Sequence, residues 1–427
     1  MQPAEPRSPT DDATRRAIDA VWRIEAARVV AGVARMVRDV GLAEELAQDA
    51  LVAALERWPH DGVPANPGAW LMTTARHRAV DRLRRARLIE RKHGELGAGA
   101  VDHHDTAPAL EAALDGEPGD DLLRLVFTSC HPVLPPEARV ALTLRLLGGL
   151  TTAEIARAFL APEPTIAQRI VRAKRALADA HVAFEVPRGA ELAERLGSVL
   201  EVIYLVFNEG YAATAGDDWT RPALCEDALR LGRILAGQMP GEAEVHALIA
   251  LMELQASRLR ARTGAGGEPI LLLDQQRARW DHLLIQRGLA ALARAEALDP
   301  RGPYALQAAI AACHARARVA ADTDWPRIAA LYTALAHAMP SPIVELNRAV
   351  ALSMAFGPAA GLALVDQLVD DPALADYHLL PSVRGDLLAK LGRPAEARRE
   401  LERAAGLTRN HRERELLLAR AAGLTTA

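Results

Sequence analysis

The chain has few aromatic residues, few cysteines and no long apolar run. Phe, Trp and Tyr make up 4% of its 427 residues, although half of the residues are hydrophobic. Three cysteines in so long a chain cannot form a disulfide framework, and their spacing contains no CxxC metal pair. No window approaches 18 consecutive apolar residues, so no membrane span is predicted and no membrane partner is expected. The first residues also lack the apolar centre of a signal peptide, and we expect a cytoplasmic protein.

Alanine, leucine and arginine dominate the composition of the chain, and this composition favours helix over strand. The apolar content is high enough to bury substantial cores, which excludes a disordered scaffold. The sequence contains no GxxxxGK[ST] motif, which excludes a P-loop ATPase. We therefore predict an all-α protein, and its length indicates several domains.

Breaks in composition and periodicity divide the chain. We predict a helical domain over residues 11–93, a linker over 94–121, a second helical domain over 122–184 and a long helical domain over 190–427. The linker holds eight acidic residues, five glycines and two prolines, with no lysine or arginine. Its composition is typical of a solvated, flexible tether.

The first domain combines an apolar helix with a basic one. A helical stripe predicts a helix over 42–58 that ends at Pro59, and its apolar positions are Leu42, Leu46, Ala50, Ala53 and Ala54. The next helix begins near Pro67, where proline suits the first turn, and extends to about Glu90. Residues 64–92 hold eight basic and two acidic residues, and a row of arginines recurs at i, i+4 and i+7: Arg78, Arg82 and Arg85. This row suits a phosphate backbone, and a solvated basic face is the alternative.

The second domain shows the pattern of a helix-turn-helix. A helix opened by Pro135-Pro136 ends at Gly148-Gly149, and Thr151 or Thr152 with Glu154 predicts a capping box for the next helix. In the third helix, predicted from Pro164 to about Ala180, an apolar core face is expected from Ile166, Ile170, Ala173 and Leu177. On the opposite face Gln168, Arg172 and Arg175 recur at i, i+4 and i+7, and this row is flanked by Thr165 and Arg169. Glutamine and arginine are side chains that read base edges and bind phosphates in the major groove.

These segments resemble the sigma-70 family of RNA polymerase sigma factors in its compact extracytoplasmic-function form. The residues that carry the resemblance are 43–51 (AEELAQDAL), 67–76 (PGAWLMTTAR) and the helix-turn-helix segments from Glu154 to Lys174. The resemblance covers about residues 15–180, and the three motifs occur in the family's order. It implies that the first domain is sigma region 2 and the second is sigma region 4, with core RNA polymerase and promoter DNA as partners.

The resemblance also implies roles for individual residues. The −35 element would be read by the recognition face Thr165, Gln168, Arg169, Arg172 and Arg175. Residues expected at the −10 element are Asn66, Arg76, Arg78, Arg82 and Arg85. Core polymerase would be bound by Glu44, Glu45, Leu46, Gln48, Asp49 and Leu51.

The C-terminal half carries weak helical repeats. Gly357 and Gly392 lie 35 residues apart, near the length of a tetratricopeptide repeat, and the half resembles the long extension of one sigma subfamily. We expect this domain to regulate activity and to bind a peptide or another protein domain. Residues 186–427 hold 27 basic and 29 acidic residues, so the half is not expected to be a DNA clamp.

Enzymatic interpretations find little support. Asn208, Glu209, Asp274 and Arg277 are polar within apolar stretches, and we expect a structural network among them. The Cys-His pairs at 130–131 and 313–314 lack further spaced ligands, so no metal site, cofactor or catalytic residue is predicted and the protein is not expected to be an enzyme. Two alternatives to a sigma factor stay open: a ligand- or partner-sensing helix-turn-helix regulator that acts outside polymerase, and a repeat-based interaction scaffold.

Overall fold

A computed structural model describes residues 9–94, 118–159, 161–213, 215–216, 219–299 and 302–424. Most of the predicted acidic linker lies outside these ranges. The chain divides into two compact units, residues 1–202 and 203–427. The described residues form eighteen α-helices and one pair of two-residue strands, so the predicted all-α class is confirmed. No helix among these ranges is long and apolar enough to cross a membrane.

Seven helices and the first part of an eighth form the first unit. Their bounds are α1 Pro9–Val37, α2 Val40–Asp61, α3 Pro67–Gly94, α4 Pro118–Ser129, α5 Pro136–Leu146, α6 Thr152–Ala158, α7 Glu163–Asp179 and α8 Ala190–Tyr211. Helices α1, α2 and α3 pack on one another, and α1 also packs on α4.

Helix α2 forms where the apolar stripe predicts it, but it does not end at Pro59. The Asp39 carboxylate caps its start by accepting a hydrogen bond from the Leu42 amide. Pro59 lies inside the helix, which continues to Asp61 and ends at Gly62 with φ +82°. Pro59 has no amide hydrogen and so leaves out one bond of the ladder, but the Gly62 amide still donates to the Trp58 carbonyl and the helix continues past the proline.

Helices α5, α6 and α7 form the predicted helix-turn-helix. Thr151 and Glu154 form the predicted capping box, since the Glu154 amide donates to the Thr151 hydroxyl and the Thr151 amide donates to the Glu154 carboxylate. The apolar face of α7 is buried as expected, with Ile166, Ile170, Ala173 and Leu177 in the core.

The start of α8 completes the first unit. Arg195 donates to the Phe127 carbonyl, and the Ser198 hydroxyl donates to the Cys130 carbonyl at 2.6 Å. The buried Arg139 donates to Ser198 and, at 3.0 Å, to Glu201. These bonds tie residues 195–201 to α4 and α5, so the compact unit extends past residue 184.

The second unit is a run of packed helices that follows the division within α8. Their bounds are α9 Pro222–Gln238, α10 Ala243–Ala256, α11 His282–Ala297, α12 Pro303–Arg316, α13 Trp325–Ala338, α14 Pro342–Phe356, α15 Pro358–Leu368, α16 Leu379–Lys390, α17 Pro394–Leu407 and α18 His411–Ala422. Short 3-10 turns lie at Leu259–Ala261, Leu272–Asp274, Arg277–Arg279, Ala320–Asp322 and Pro372–Leu374. Strands β1 (Ala215–Gly216) and β2 (Arg409–Asn410) pair in parallel.

The two repeat glycines occupy equivalent turns. Gly357 lies between α14 and α15 with φ +99°, and Gly392 lies between α16 and α17 with φ +73°. A residue with a side chain would be strained at either position. Each glycine joins two helices that pack on each other, which fits the tetratricopeptide-like interpretation.

Candidate nucleic-acid interface

The predicted recognition face of α7 lies on the opposite side from its core. Gln168, Arg172 and Arg175 are exposed, as is Thr165, whereas Arg169 is half-buried. Arg175 Nε lies 3.5 Å from Oδ2 of Asp179 on the same helix. The helix therefore presents an exposed Gln/Arg row above a rigid apolar base, which is the arrangement needed to contact base edges and phosphates.

The helix before the turn is held firmly at its start. Burial raises the pKa of the Glu154 carboxyl, but hydrogen bonds from Thr151 and the guanidinium of Arg23 outweigh this effect and leave the pKa lowered. The ionised carboxylate thus serves both the cap of α6 and an ion pair with α1, with Arg23 Nη2 at 2.6 Å from Glu154 Oε1.

The basic row on α3 faces the acidic side of α2. Arg78, Arg82 and Arg85 line a cleft of about 330 Å³ together with Glu45 and Asp49. Arg78 Nη1 lies 3.2 Å from Asp49 Oδ2, while Arg82 and Arg85 are exposed. Residues assigned to the −10 element and residues assigned to polymerase are thus brought together in one cleft.

Two other residues assigned to the −10 element lie apart from this row. Asn66 caps α3, because its side-chain oxygen accepts from the Ala69 amide at 3.0 Å. Arg76 is half-buried, and its Nε is buried without a hydrogen-bond partner among the described residues. Its charge acts on Asp121 of α4, so it faces the interior of the first unit.

The predicted polymerase-binding residues divide into exposed and buried sets. Glu45 and Asp49 are exposed, Gln48 and Leu51 are half-buried, and Leu46 is buried in the core. Glu44 is only 4% exposed. Its carboxylate accepts from Arg145 Nε of α5 at 2.6 Å and forms an ion pair with Lys174 of α7. In this arrangement Glu44 contacts the helix-turn-helix.

A further ion pair joins the first predicted sigma domain to α4. Arg35 Nε of α1 lies 3.3 Å from Asp121 Oδ2 of α4, which also pairs with Arg124. Burial raises the pKa of Asp121, and the neighbouring guanidiniums oppose this shift. We call the packing fixed by the pairs of Glu44, Arg35 and Arg23 the closed arrangement. Sequence reasoning missed it because the partners lie far apart in the chain and show no local periodicity.

The polar residues singled out in the second unit lie in different surroundings. Glu209 pairs with Arg221, whereas Asp274 is exposed. Arg277 donates to the carbonyl of His314 and to Thr323. Asp274 and Arg277 lie in separate 3-10 turns, and the contacts of Arg277 go to His314 and Thr323.

Three family profiles match the chain. Residues 23–89 match Sigma-70 region 2, and residues 124–177 match Sigma-70, region 4. Residues 195–296 match a family of unknown function, DUF6596. The first two matches coincide with the helices that carry the cleft and the recognition face.

Curated relatives agree with these matches. An uncharacterized protein of Rhizobium meliloti (strain 1021) is 44% identical over 381 residues, covering 89% of each chain. The ECF RNA polymerase sigma factors SigK of Mycobacterium ulcerans (strain Agy99) and of Mycobacterium tuberculosis (strain CDC 1551 / Oshkosh) are each 34% identical over 154 residues. Those alignments cover 35% of this chain and 78% of each SigK. The chain therefore belongs to the sigma-70 family of RNA polymerase sigma factors, in its extracytoplasmic-function form.

Proposed function

We propose that the protein binds core RNA polymerase and directs promoter-specific initiation, with α7 reading the −35 element. The single observation that carries this proposal is the exposed Gln168, Arg172 and Arg175 row above the buried Ile166 and Ile170. Arginine and glutamine at this spacing can reach base edges and phosphates while the buried face keeps the helix fixed.

The cleft between α2 and α3 serves two partners in this proposal. Its α2 side presents Glu45 and Asp49 to polymerase, and its α3 side presents Arg82 and Arg85 to the −10 element. Because Asp49 neutralises Arg78 in the free protein, polymerase contact at Asp49 releases the Arg78 guanidinium for a phosphate.

The closed arrangement is a resting state that opens when polymerase binds. Glu44 is buried against Arg145 and Lys174, so it can contact polymerase only after α2 and the helix-turn-helix separate. Separation also frees region 2 and region 4 to reach two promoter elements at once.

The C-terminal unit is required for productive transcription and regulates it. A chain that needed promoter recognition alone could end after α7, yet more than half of the residues follow. Truncation tests this role, and the contacts that the start of α8 makes with α4 and α5 determine where the chain should be cut. Stopping at Ala183 removes Arg195 and Ser198, which hold α4 and α5, so the informative truncation ends at Val202.

Co-elution with core polymerase tests the binding proposal. The full chain should co-elute, and a Glu45→Ala/Gln48→Ala variant should co-elute less while circular dichroism stays helical. A Glu56→Ala variant, at an exposed position on the same helix outside the cleft, is the matched control. Failure of the full chain to co-elute would favour a helix-turn-helix regulator that acts outside polymerase.

The truncation is then compared with the full chain in transcription. A chain ending at Val202 should be soluble, helical and nearly inactive. Activity above that of the full chain would show autoinhibition, and wild-type activity would show that the extension has no regulatory role.

A further inference from the structure

The second unit contains three arginines that cluster on aromatic rings. Arg258 and Arg262 lie over the Tyr211 ring, with guanidinium carbons 5.7 and 3.8 Å from its centroid. Arg258 and Arg277 lie over the Trp280 ring, at 5.5 and 4.1 Å. Arg258 is shared by both rings, so the three guanidiniums belong to one cluster.

No carboxylate balances this charge among the described residues. The hydrogen bonds of Arg258 go to the Tyr211 hydroxyl and the Gln255 side chain, and those of Arg277 go to the His314 carbonyl and Thr323. All of these partners are neutral. Contacts with aromatic faces recover part of the desolvation cost of a guanidinium, but they do not neutralise it.

Several polar atoms around the cluster are also unsatisfied. Nε of Arg262, Nε of Arg277, the indole nitrogen of Trp280 and Nδ1 of His314 are buried without a hydrogen-bond partner among the described residues. Buried polar atoms in native proteins are nearly always satisfied. Arginine and indole nitrogens are donors only, so the missing partner of these atoms is an acceptor.

The charges within the cluster also favour an anionic partner. Burial lowers the pKa of Arg262, and the charge of Arg258 adds to this effect, while Tyr211 and Cys225 partly oppose it. Burial and Arg258 likewise lower the pKa of Arg277. Arg262 and Arg277 are thus each repelled by the charge of Arg258, and an anion bound between them would offset this repulsion.

We propose that Arg258, Arg262 and Arg277, with the Trp280 indole and His314, form a binding site for an oxyanion carried by a small molecule. The planar guanidinium fork matches the paired oxygens of a carboxylate or a phosphate. The site lies mostly within the DUF6596 match, to which no function is attached. It goes beyond the proposed function and stands whether or not the chain initiates transcription.

Titration calorimetry on the full chain tests the site. Sodium phosphate and sodium acetate are the two probes, which separate a phosphate ligand from a carboxylate ligand, and sodium chloride at matched ionic strength is the reference. At least one probe should bind saturably with about one site per chain and raise the unfolding temperature above the chloride value. If neither does so, ordered water and ring contacts satisfy the cluster and the proposal is wrong.

Variants in one 3-10 turn provide a matched pair. Arg277→Gln should weaken binding of the active probe at least tenfold. Arg279→Gln makes the same change at an exposed residue in that turn and should bind like the wild type. If Arg277→Gln fails to fold, Arg277→Lys keeps the charge but loses the fork, and it should weaken binding several-fold. Wild-type affinity in a folded Arg277 variant would overturn the assignment.

Discussion

Neutralising Lys174 should shift the first unit from the closed arrangement toward an open one. The Glu44 side chain is 5% exposed, and its cations are Lys174 and Arg145. Lys174→Gln leaves Arg145 in place but removes one charge-assisted partner from a buried carboxylate. Such a loss costs about 1.5–3 kcal/mol, and at about 1.4 kcal/mol per factor of ten the ratio of open to closed molecules rises roughly 10- to 100-fold.

Two measurements report this shift. Fluorophores at Glu56→Cys on α2 and Glu163→Cys at the start of α7 measure the separation between region 2 and region 4. Both positions are exposed, while the three native cysteines are buried. Energy transfer should fall in Lys174→Gln, and core polymerase affinity without DNA should rise, because less free energy is needed to open the unit.

The control is a neutral change on the exposed side of the same helix. Arg175→Gln removes a side chain that is 82% exposed and pairs only with Asp179 among the described residues. It should leave energy transfer and polymerase affinity unchanged. If Lys174→Gln behaves like Arg175→Gln in both measurements, the Glu44 pairs do not hold the closed arrangement and the resting-state proposal fails.

Three further predictions concern single side chains. Arg172→Ala should weaken holoenzyme binding to a duplex −35 element by about 1–3 kcal/mol and leave core polymerase affinity unchanged; unchanged promoter binding would refute the assignment of the recognition face. Thr151→Ala removes the capping box of α6 and should lower the free energy of unfolding by about 1 kcal/mol in urea denaturation, whereas Thr152→Ala at the next position should cost less. Burial, with the charges of Arg258 and Arg277, lowers the pKa of His314 to about 3, so the unfolded chain binds more protons below about pH 6.5. The resulting stabilisation is complete above that pH and decreases on acidification, by about 1.4 kcal/mol at pH 5.5. His314→Gln should lose this part of the pH dependence in urea unfolding followed by tryptophan fluorescence, and an unchanged slope would contradict the neutral assignment.

The parts of the fold that were predictable are those specified by short-range pattern. The period of Ile166, Ile170 and Ala173 determines both the buried side of α7 and its exposed recognition face. The capping box of Thr151 and Glu154 is equally local, since both members lie within one turn. Helix caps and amphipathic periods are properties of a few neighbouring residues, so they can be read before the fold is known.

The features that could not be predicted from the sequence depend on contacts between residues that are distant in the chain. Glu44 looks like a surface residue of a docking helix, yet its partners Arg145 and Lys174 come from the second domain. Arg139 and Ser198 extend the first unit into α8, beyond the boundary that composition suggests. The arginine cluster draws on irregular turns around Arg277, where no period exists to reveal which rings lie nearby.

Transcription from a promoter library tests whether the chain directs promoter-specific initiation. Bacterial core polymerase is incubated with the full chain and DNA templates whose upstream region is randomised, and the transcribed templates are sequenced. We expect transcripts that depend on the added chain and an enriched pair of sequence blocks at a fixed spacing. Arg172→Ala should relax the upstream block and leave the downstream block unchanged. Transcription no greater than with core polymerase alone, or enrichment of no upstream block, would show that the chain does not direct promoter-specific initiation.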